Sequence, residues 1–253
     1  MIWAAWRAMH LQAAEMRQHG MTLIVSAVTP ATFLVITLLA RPDPTDAFVS
    51  RAVGGSMMMG LWSTTLWSSG SLLRREIRAG TLVPILTRPM PFWVVLYGKT
   101  CAVSAVGLLG AGVSVLLAAV ALGSRPPLPG LAPCAVMAVL AVASAASLGV
   151  LVSAGVVLAH GSTRVIEALG YPVYLLGGLL LPVDQLPVLL RLPSSLLSLR
   201  YLVDLLESSP SGAIPAGPAL ASLLLTITYF LLGTRVLDAV LRRGRVDGSL
   251  EFA

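Results

Sequence analysis

The sequence predicts an all-α integral membrane protein. It would have six transmembrane helices, an N-terminal interfacial helix, a short cytoplasmic helix between the second and third spans, and short re-entrant helices on the outside before the last span. Three observations predict it. The 253 residues are 57% hydrophobic and only 11% charged, too little charge for a soluble domain of this length. The apolar residues gather in six runs, roughly 21–40, 52–73, 92–121, 132–159, 163–181 and 216–235, and ~20 such residues are needed to cross a bilayer as a helix. None of the runs alternates with the period of a barrel strand, and backbone in lipid must satisfy its own hydrogen bonds, so each run is a helix.

Residues 1–20 come first. Ile2, Trp6, Met9, Ala13 and Met16 recur at helical spacing, while Arg7, Glu15 and Gln18 lie off that stripe, which predicts an amphipathic helix on the membrane surface. Trp3 and Trp6 suit the headgroup layer, and Gly20 is the expected stop before the first span. The six-span body occupies 21–248 and a tail 249–253. Pro30 in the first span and Pro172 in the fifth are expected to bend their helices. The second span is the most polar, crowded with Ser56, Met57, Met58, Met59, Trp62, Ser63, Thr64, Thr65, Trp67, Ser68 and Ser69. Its hydroxyls can bond helix backbone while its methionines fill gaps, or the same residues can wall a passage. The third and fourth runs exceed a bilayer's needs and are expected to tilt or project. Within them Gly107 with Ala111, Gly110 with Ser114, and the series Ala145, Gly149, Ser153 sit four apart, a spacing that lets helix backbones approach closely in lipid. Gly177-Gly178 adds give near the outer end of the fifth span. From Pro182 to Pro210 the chain is Leu-rich but broken by Pro182, Pro187 and Pro193, and it carries Asp184, Arg191, Arg200, Asp204 and Glu207. It is too interrupted to span and fits two short helices, an outer cap over 182–210.

Orientation follows from the basic residues. With an even number of spans both termini share a side. Of the 17 Lys and Arg, only Arg41, Arg51, Arg125, Arg191 and Arg200 then fall on the other side. The excess marks the side of the termini as the cytoplasm. The same distribution accounts for the pI of about 10.0. The charges are split among separate juxtamembrane segments, so no nucleic-acid face is expected. Arginine in place of lysine, with abundant alanine, marks a GC-rich bacterial genome, and the expected site is the bacterial cytoplasmic membrane. Cys101 and Cys134 fall at different depths, so neither a disulfide nor a metal site is expected. No cleavage site follows the first apolar run, so no cleaved signal peptide is expected.

The stretch Glu76–Thr100, EIRAGTLVPILTRPMPFWVVLYGKT, is the most patterned polar segment. Gly80 breaks the helix descending from the second span. Thr81 is placed to cap a new short helix. Pro84 falls in that helix's first turn, where a missing N–H costs nothing. Leu82, Ile85 and Leu86 form a small apolar face, and Pro89 and Pro91 end it. The result over 76–89 is a short, stiff amphipathic helix suited to a partner's groove.

These residues carry a resemblance to the type-2 permeases of ATP-binding-cassette exporters. In that family an acidic residue after the second span is followed by Gly-Thr-Leu, a Leu-rich turn, a proline, and a Gly-Lys opening the third span. Here they are Glu76, Gly80-Thr81-Leu82, Leu86, Pro89 and Gly98-Lys99. A proline ending the fifth span, a Leu-Pro, and a Tyr-x-x-Asp match Pro182, Leu186-Pro187, and Tyr201 with Asp204. The basic tail Arg242-Arg243-Gly244-Arg245-Val246-Asp247-Gly248 is similar as well. The chain departs from the pattern at Leu199-Arg200, where a proline usually precedes the tyrosine, and at Val83-Pro84, where Leu or Glu often follows Gly-Thr-Leu.

Other classes are weighed on the same residues. Gly98-Lys99-Thr100 ends like a phosphate-binding loop, but position 93, where that loop needs glycine, is Trp93. Lys99 is instead expected to reach the headgroups as an interfacial anchor. Ser69-Gly70 evokes an intramembrane serine protease, yet position 67 is Trp67, and His10, His19 and His160 all lie away from mid-membrane, leaving the serine without a base. An ion-coupled carrier needs an ionisable group at mid-bilayer. Its only candidate, Glu167, lies within about two turns of the cytoplasmic end of its span, near Arg164.

The resemblance therefore implies an exporter permease subunit, not itself an enzyme. It would bind no cofactor, with ATP and Mg on a separate ATPase subunit, and would pair as a homodimer or with a homologous permease. The coupling helix to the ATPase would use Glu76, Gly80, Thr81, Leu82, Ile85, Leu86 and Pro89. The family lines its passage with spans one, two and five, so Met58, Trp62 and Thr65, with Tyr171 and Tyr174 opposite, would face a hydrophobic or amphipathic substrate such as a drug, antibiotic or lipid-like molecule. Pro182, Pro187, Tyr201 and Asp204 would build the outer cap.

Overall fold

A computed structural model describes residues 2–18, 20–40, 45–81, 84–85, 87, 91–123, 131–158, 164–179, 183, 186–208 and 215–247. Among them every extended regular element is helical and none is a strand. Phe92–Ala121, Cys134–Leu158 and Ala216–Arg243 are long and apolar enough to cross a membrane, and Ala27–Leu39 is a shorter apolar helix. By the length and composition of these helices the protein is a multi-pass membrane protein.

Helix α1, Ile2–Gln18, lies along α5, Phe92–Ala121. The face it buries lies beside the apolar stripe expected to meet the membrane surface. Ala8 and Gln12 are buried, whereas Trp6 is exposed and stacks edge-on with His10 at 4.7 Å between ring centroids. Small Ala8 lets the two backbones approach, and the bulky ring turns away from the seam. Helix α2, Gly20–Leu39, buries Pro30, Leu34 and Leu38 at a spacing of four and exposes Val28, Ile36 and Leu39. Its Thr32 and Thr37 hydroxyls return to the carbonyls of Val28 and Phe33, both at 2.8 Å, which satisfies them within the helix.

Thr45 caps α3, Asp46–Thr64, by accepting from the Phe48 N–H at 3.4 Å. The expected second span, 52–73, is not one uninterrupted helix. A π-helical turn runs from Thr65 to Ser69, and after Gly70 the chain makes a turn at Ser71 before α4, Leu72–Arg78. This rod forms the middle of the bundle: α3 packs on α2, α5 and α9, and the π turn packs on α5, α6 and α7, with α6 Leu131–Leu158, α7 Arg164–Leu176 and α9 Ser198–Ser208. Close approach needs residues without a side chain. A Cβ on Gly107 would come within 2.8 Å of Thr64 Cβ, and one on Gly149 within 2.9 Å of Ser69 Cβ. The four-apart series thus meets the rod at Gly107, Ala111, Ala145, Gly149 and Ser153, all buried, while Gly110 and Ser114 stay half-buried.

The fifth helix stops at Leu176, short of the expected 181, because Gly177-Gly178 follows and Gly178 adopts φ +73°. Pro182, expected to end that span, lies outside the described residues. Two short helices follow, α8 Val188–Ser195 and α9, with α9 packed on α3, α6 and α10, Ala216–Asp247. Helix α10 continues well past the expected end at 235. Beyond it Leu237, Val240 and Leu241 join Leu72, Leu73, Phe92, Leu96, Val150 and Ala154 in one apolar cluster, and this packing holds the extra turns in helix. Neither Cys101 nor Cys134 is in a disulfide.

Candidate functional site

The chain leaves α4 through a tight, fully bonded turn. The Gly80 N–H donates to the Ile77 carbonyl at 3.0 Å and the Thr81 N–H to the Glu76 carbonyl at 3.1 Å. These are the two bonds of a Schellman motif, which needs a left-handed residue between them. Gly80 supplies it at φ +66°. Such motifs commonly carry an apolar contact between the residues that Glu76 and Thr81 occupy here. In its place the Thr81 hydroxyl donates to Glu76 Oε2 at 2.5 Å. The Thr81 hydroxyl thus closes the preceding helix; Val83, whose N–H an N-cap hydroxyl would meet, lies outside the described residues.

The other carboxylate oxygen of Glu76 pairs with the ammonium of Lys99, about two turns into α5, and each side chain is only 11% exposed. This overturns the reading of Lys99 as a headgroup anchor. The amine is turned inward because a buried carboxylate offers a stronger partner than lipid phosphate in water. Glu76 thus joins α4, the turn and α5 through one side chain. Beyond the turn, the Ile85 N–H donates to the Thr81 carbonyl at 3.2 Å, continuing helically. Ile85, half-buried, packs against the cluster of Leu72, Phe92 and Leu241, so part of its side chain seats the turn on its own bundle. The outward face is Arg75, Arg78, Ala79, Gly80, Thr81, Pro84 and Thr87. Leu82, Leu86 and Pro89 lie outside the described residues.

No atom lies within 4 Å of a Cβ placed on Gly80, so only its backbone conformation resists substitution. Gly80→Ala is expected to cost about 1 kcal/mol and Gly80→Asn less, because asparagine tolerates the left-handed region. Thermal melts of the purified variants in one detergent check the order.

The residues expected to wall a passage are brought together, but inside the bundle. Met58, Trp62 and Thr65 are 4%, 3% and 0% exposed. Met58 and Trp62 pack with Leu61, Leu66, Ala145, Val173, Leu199 and Leu202, with Tyr174 half-buried against them. Thr65 shares a hydrogen bond with Ser104 of α5 at 3.1 Å. Tyr174 bonds Ser63 through its hydroxyl, whereas Tyr171 is 80% exposed and does not face α3. The hydroxyls of the second span are spent on packing: Ser56 donates to the Ala52 carbonyl at 2.6 Å and Thr64 to that of Gly60 at 2.8 Å. Ser69, the serine weighed as a nucleophile, is fully buried and its hydroxyl bonds nothing, so no base activates it. The side chain of Glu167 lies outside the described residues.

At the opposite end Pro187 leads into α8 and Tyr201 donates to the Ser195 carbonyl at 3.2 Å, tying α9 to the end of α8. Asp204 lies three residues further along α9 and is half-buried. Ser144 of α6 donates to Ser198 at 2.5 Å, and Tyr229 of α10 bonds the Leu196 carbonyl. Leu199, Leu202, Val203 and Leu205 then bury one face of α9.

Two features escaped the sequence: the π turn at Thr65–Ser69, and a bond across helices in which the Leu73 N–H donates to Ser153 Oγ of α6 at 3.1 Å. Ser153 stood in the small-residue series, but a spacing of four marks close packing and not which backbone group is met.

Compared with known proteins, the chain matches the family model described as ABC-2 type transporter over residues 1–209. A search of curated proteins finds no match.

Proposed function

The chain belongs to the ABC-2 type transporter family, and on that premise we propose that it is the six-span permease subunit of an exporter in the bacterial cytoplasmic membrane, both termini cytoplasmic. A separate ATPase subunit binds ATP and Mg and does the hydrolysis. Two copies, or one copy and a homologous permease, enclose the passage. The ATPase docks on the exposed turn after α4, reaching through Leu82 to Leu86, and on α1.

The observation that carries this reading is the Glu76 turn. It is exposed outside and locked inside by its Schellman bonds, by Thr81 and by Lys99. A push on it is passed to α4 and α5 together, because the elements share one buried carboxylate. Closure of the ATPases on ATP tilts α2, the α3 rod and α7 and turns the passage from inward- to outward-accessible. The substrate is hydrophobic or amphipathic, of the drug, antibiotic or lipid-like kind. Met58, Trp62 and Thr65 are sealed in the packed bundle, so they meet substrate only when these helices part. The surface of α7 that bears Tyr171 is available to it from the start.

The test is co-purification from membranes, asking which ATPase accompanies the chain. Gly80→Pro cannot adopt φ +66° and deletes the N–H that bonds Ile77; Leu82→Asp places a charge in the docking segment. Both are expected to lose the ATPase and substrate transport together. If either variant retains both at wild-type level, the docking assignment is wrong. If the chain alone in lipid moves cargo without nucleotide, the permease reading is wrong.

A further inference from the structure

The first helical N–H groups of any helix lack partners within it. In α4 the residue placed to cap them, Ser71, makes no side-chain bond to them. Its hydroxyl instead returns to the carbonyls of Trp67 and Ser68, at 2.9 and 3.2 Å. That bond satisfies carbonyls freed by the π turn and leaves the start of α4 open. Ser153, fully buried on α6, accepts from the Leu73 N–H at 3.1 Å. One turn earlier on α6, Gly149 gives room to Ser69, whose own buried hydroxyl has no partner. The rod is therefore bonded to α6 after its break and only packed on α6 before it.

We propose that Ser153 is a positioning residue, capping α4 from α6 so that α4 and the Glu76 turn ride with α5 and α6 while α3 swings against them at the π turn Thr65–Ser69. This rests on the permease reading above and adds to it where the moving joint lies. On the far side of the joint Glu76 pairs with Lys99 of α5 and Leu73 with Ser153 of α6, so α4 is held at two points on two helices. On the near side the π turn has a wider ring than an α-turn, and Ser71 just past it shares its hydroxyl between the carbonyls of Trp67 and Ser68, the arrangement that lets a helix change register locally. A stroke delivered to the turn then reaches α3 as a relative displacement and not as motion of the whole bundle.

The experiment compares wild type, Ser153→Ala and Ser153→Thr, each purified with its ATPase in lipid. Two quantities are read: hydrogen exchange at the Leu73 amide, and substrate transported per ATP hydrolysed. Alanine removes the acceptor, and exchange at Leu73 is expected to rise about tenfold, the cost of orphaning a buried donor. ATPase co-purification and hydrolysis remain, while transport per ATP falls about fivefold as coupling energy is lost. Threonine keeps the hydroxyl and restores both. Unchanged exchange in Ser153→Ala overturns the cap. Faster exchange with unchanged transport per ATP overturns the positioning role. A variant that merely misfolds loses its ATPase and melts early, and Ser153→Thr then decides: exchange and transport per ATP at wild-type values support the role, and a loss of either overturns it. Absence of any ATPase from the wild-type preparation sinks the permease reading instead, and Leu73 exchange still reports on the cap.

Discussion

Glu76→Ala is expected to be the most damaging change at the turn after α4, because one side chain there answers two neighbours. Its loss leaves the Lys99 ammonium sheltered at 11% exposure without a counter-charge and the Thr81 hydroxyl without its acceptor. Removing one member of a buried pair costs about 3–5 kcal/mol; the residual exposure of both groups lets water help, so about 2–3 kcal/mol is expected. Lys99→Met should cost a similar amount by stranding the carboxylate. The double variant Glu76→Gln with Lys99→Met removes both charges and keeps an oxygen for Thr81. It should lie within about 1 kcal/mol of wild type, since a buried pair replaced by neutral groups is often nearly neutral. A double-mutant cycle of Glu76→Gln, Lys99→Met and their combination, read by melting in detergent, measures this. Single losses that add up in the double would show that the two groups do not interact.

Helix α5 was legible because residues that stop helices bound it. Pro91 precedes α5 and Gly123 follows it, and the observed Phe92–Ala121 coincides with the run. Which face of a helix turns inward was not legible by the rule used for water-soluble proteins. In lipid the apolar side chains face outward as readily as inward, and small or polar ones occupy the seams. Hence Ala8 and Gln12, not Trp6, are buried on α1, and Val28 and Ile36 are exposed on α2. Of the two accounts open for the serines and threonines of the second span, the bonds to backbone one turn back and to Ser104 across a seam are the first.

The turn was half legible. Gly80 announced a break, since only glycine takes φ +66° without strain. The partner of Lys99 stands 23 residues away, and local pattern says nothing of such a pairing. The π turn is less legible still. Its sequence, TLWSS, has no helix breaker, and the bonds that flank it are tertiary: Thr65 meets Ser104 at its start, and Leu73 of α4 meets Ser153 beyond it. The rod therefore runs in order as α3, the π turn, then α4 bonded to α5 through Glu76 and to α6 through Leu73. A force arriving at Gly80 meets the pinned part first.

The largest loss of stability is expected on α3, at Gly60. A Cβ there would stand 2.5 Å from the Ala111 Cβ and 2.9 Å from the Pro30 Cγ. Neither neighbour can rotate away, because one is a methyl fixed to the α5 backbone and the other a ring fixed to the α2 backbone. Gly60→Ala must therefore push α3 away from two helices at once. Overpacking a tight core costs about 1–3 kcal/mol and more where nothing yields, so about 3 kcal/mol or more is expected, seen as early melting and poor recovery from membranes. Gly112→Ala is the contrast. Its Cβ would meet only the terminal methyl of Met57, at 3.3 Å, and a methionine can swing aside, so its melting should lie within about 0.5 kcal/mol of wild type. Adding Ala111→Gly to Gly60→Ala removes the closer clash and leaves Pro30, so stability should return in part and not in full. A Gly60→Ala protein that melts with wild type would mean that α2, α3 and α5 do not meet at this crossing, and the central place of the α3 rod in the bundle would have to be abandoned.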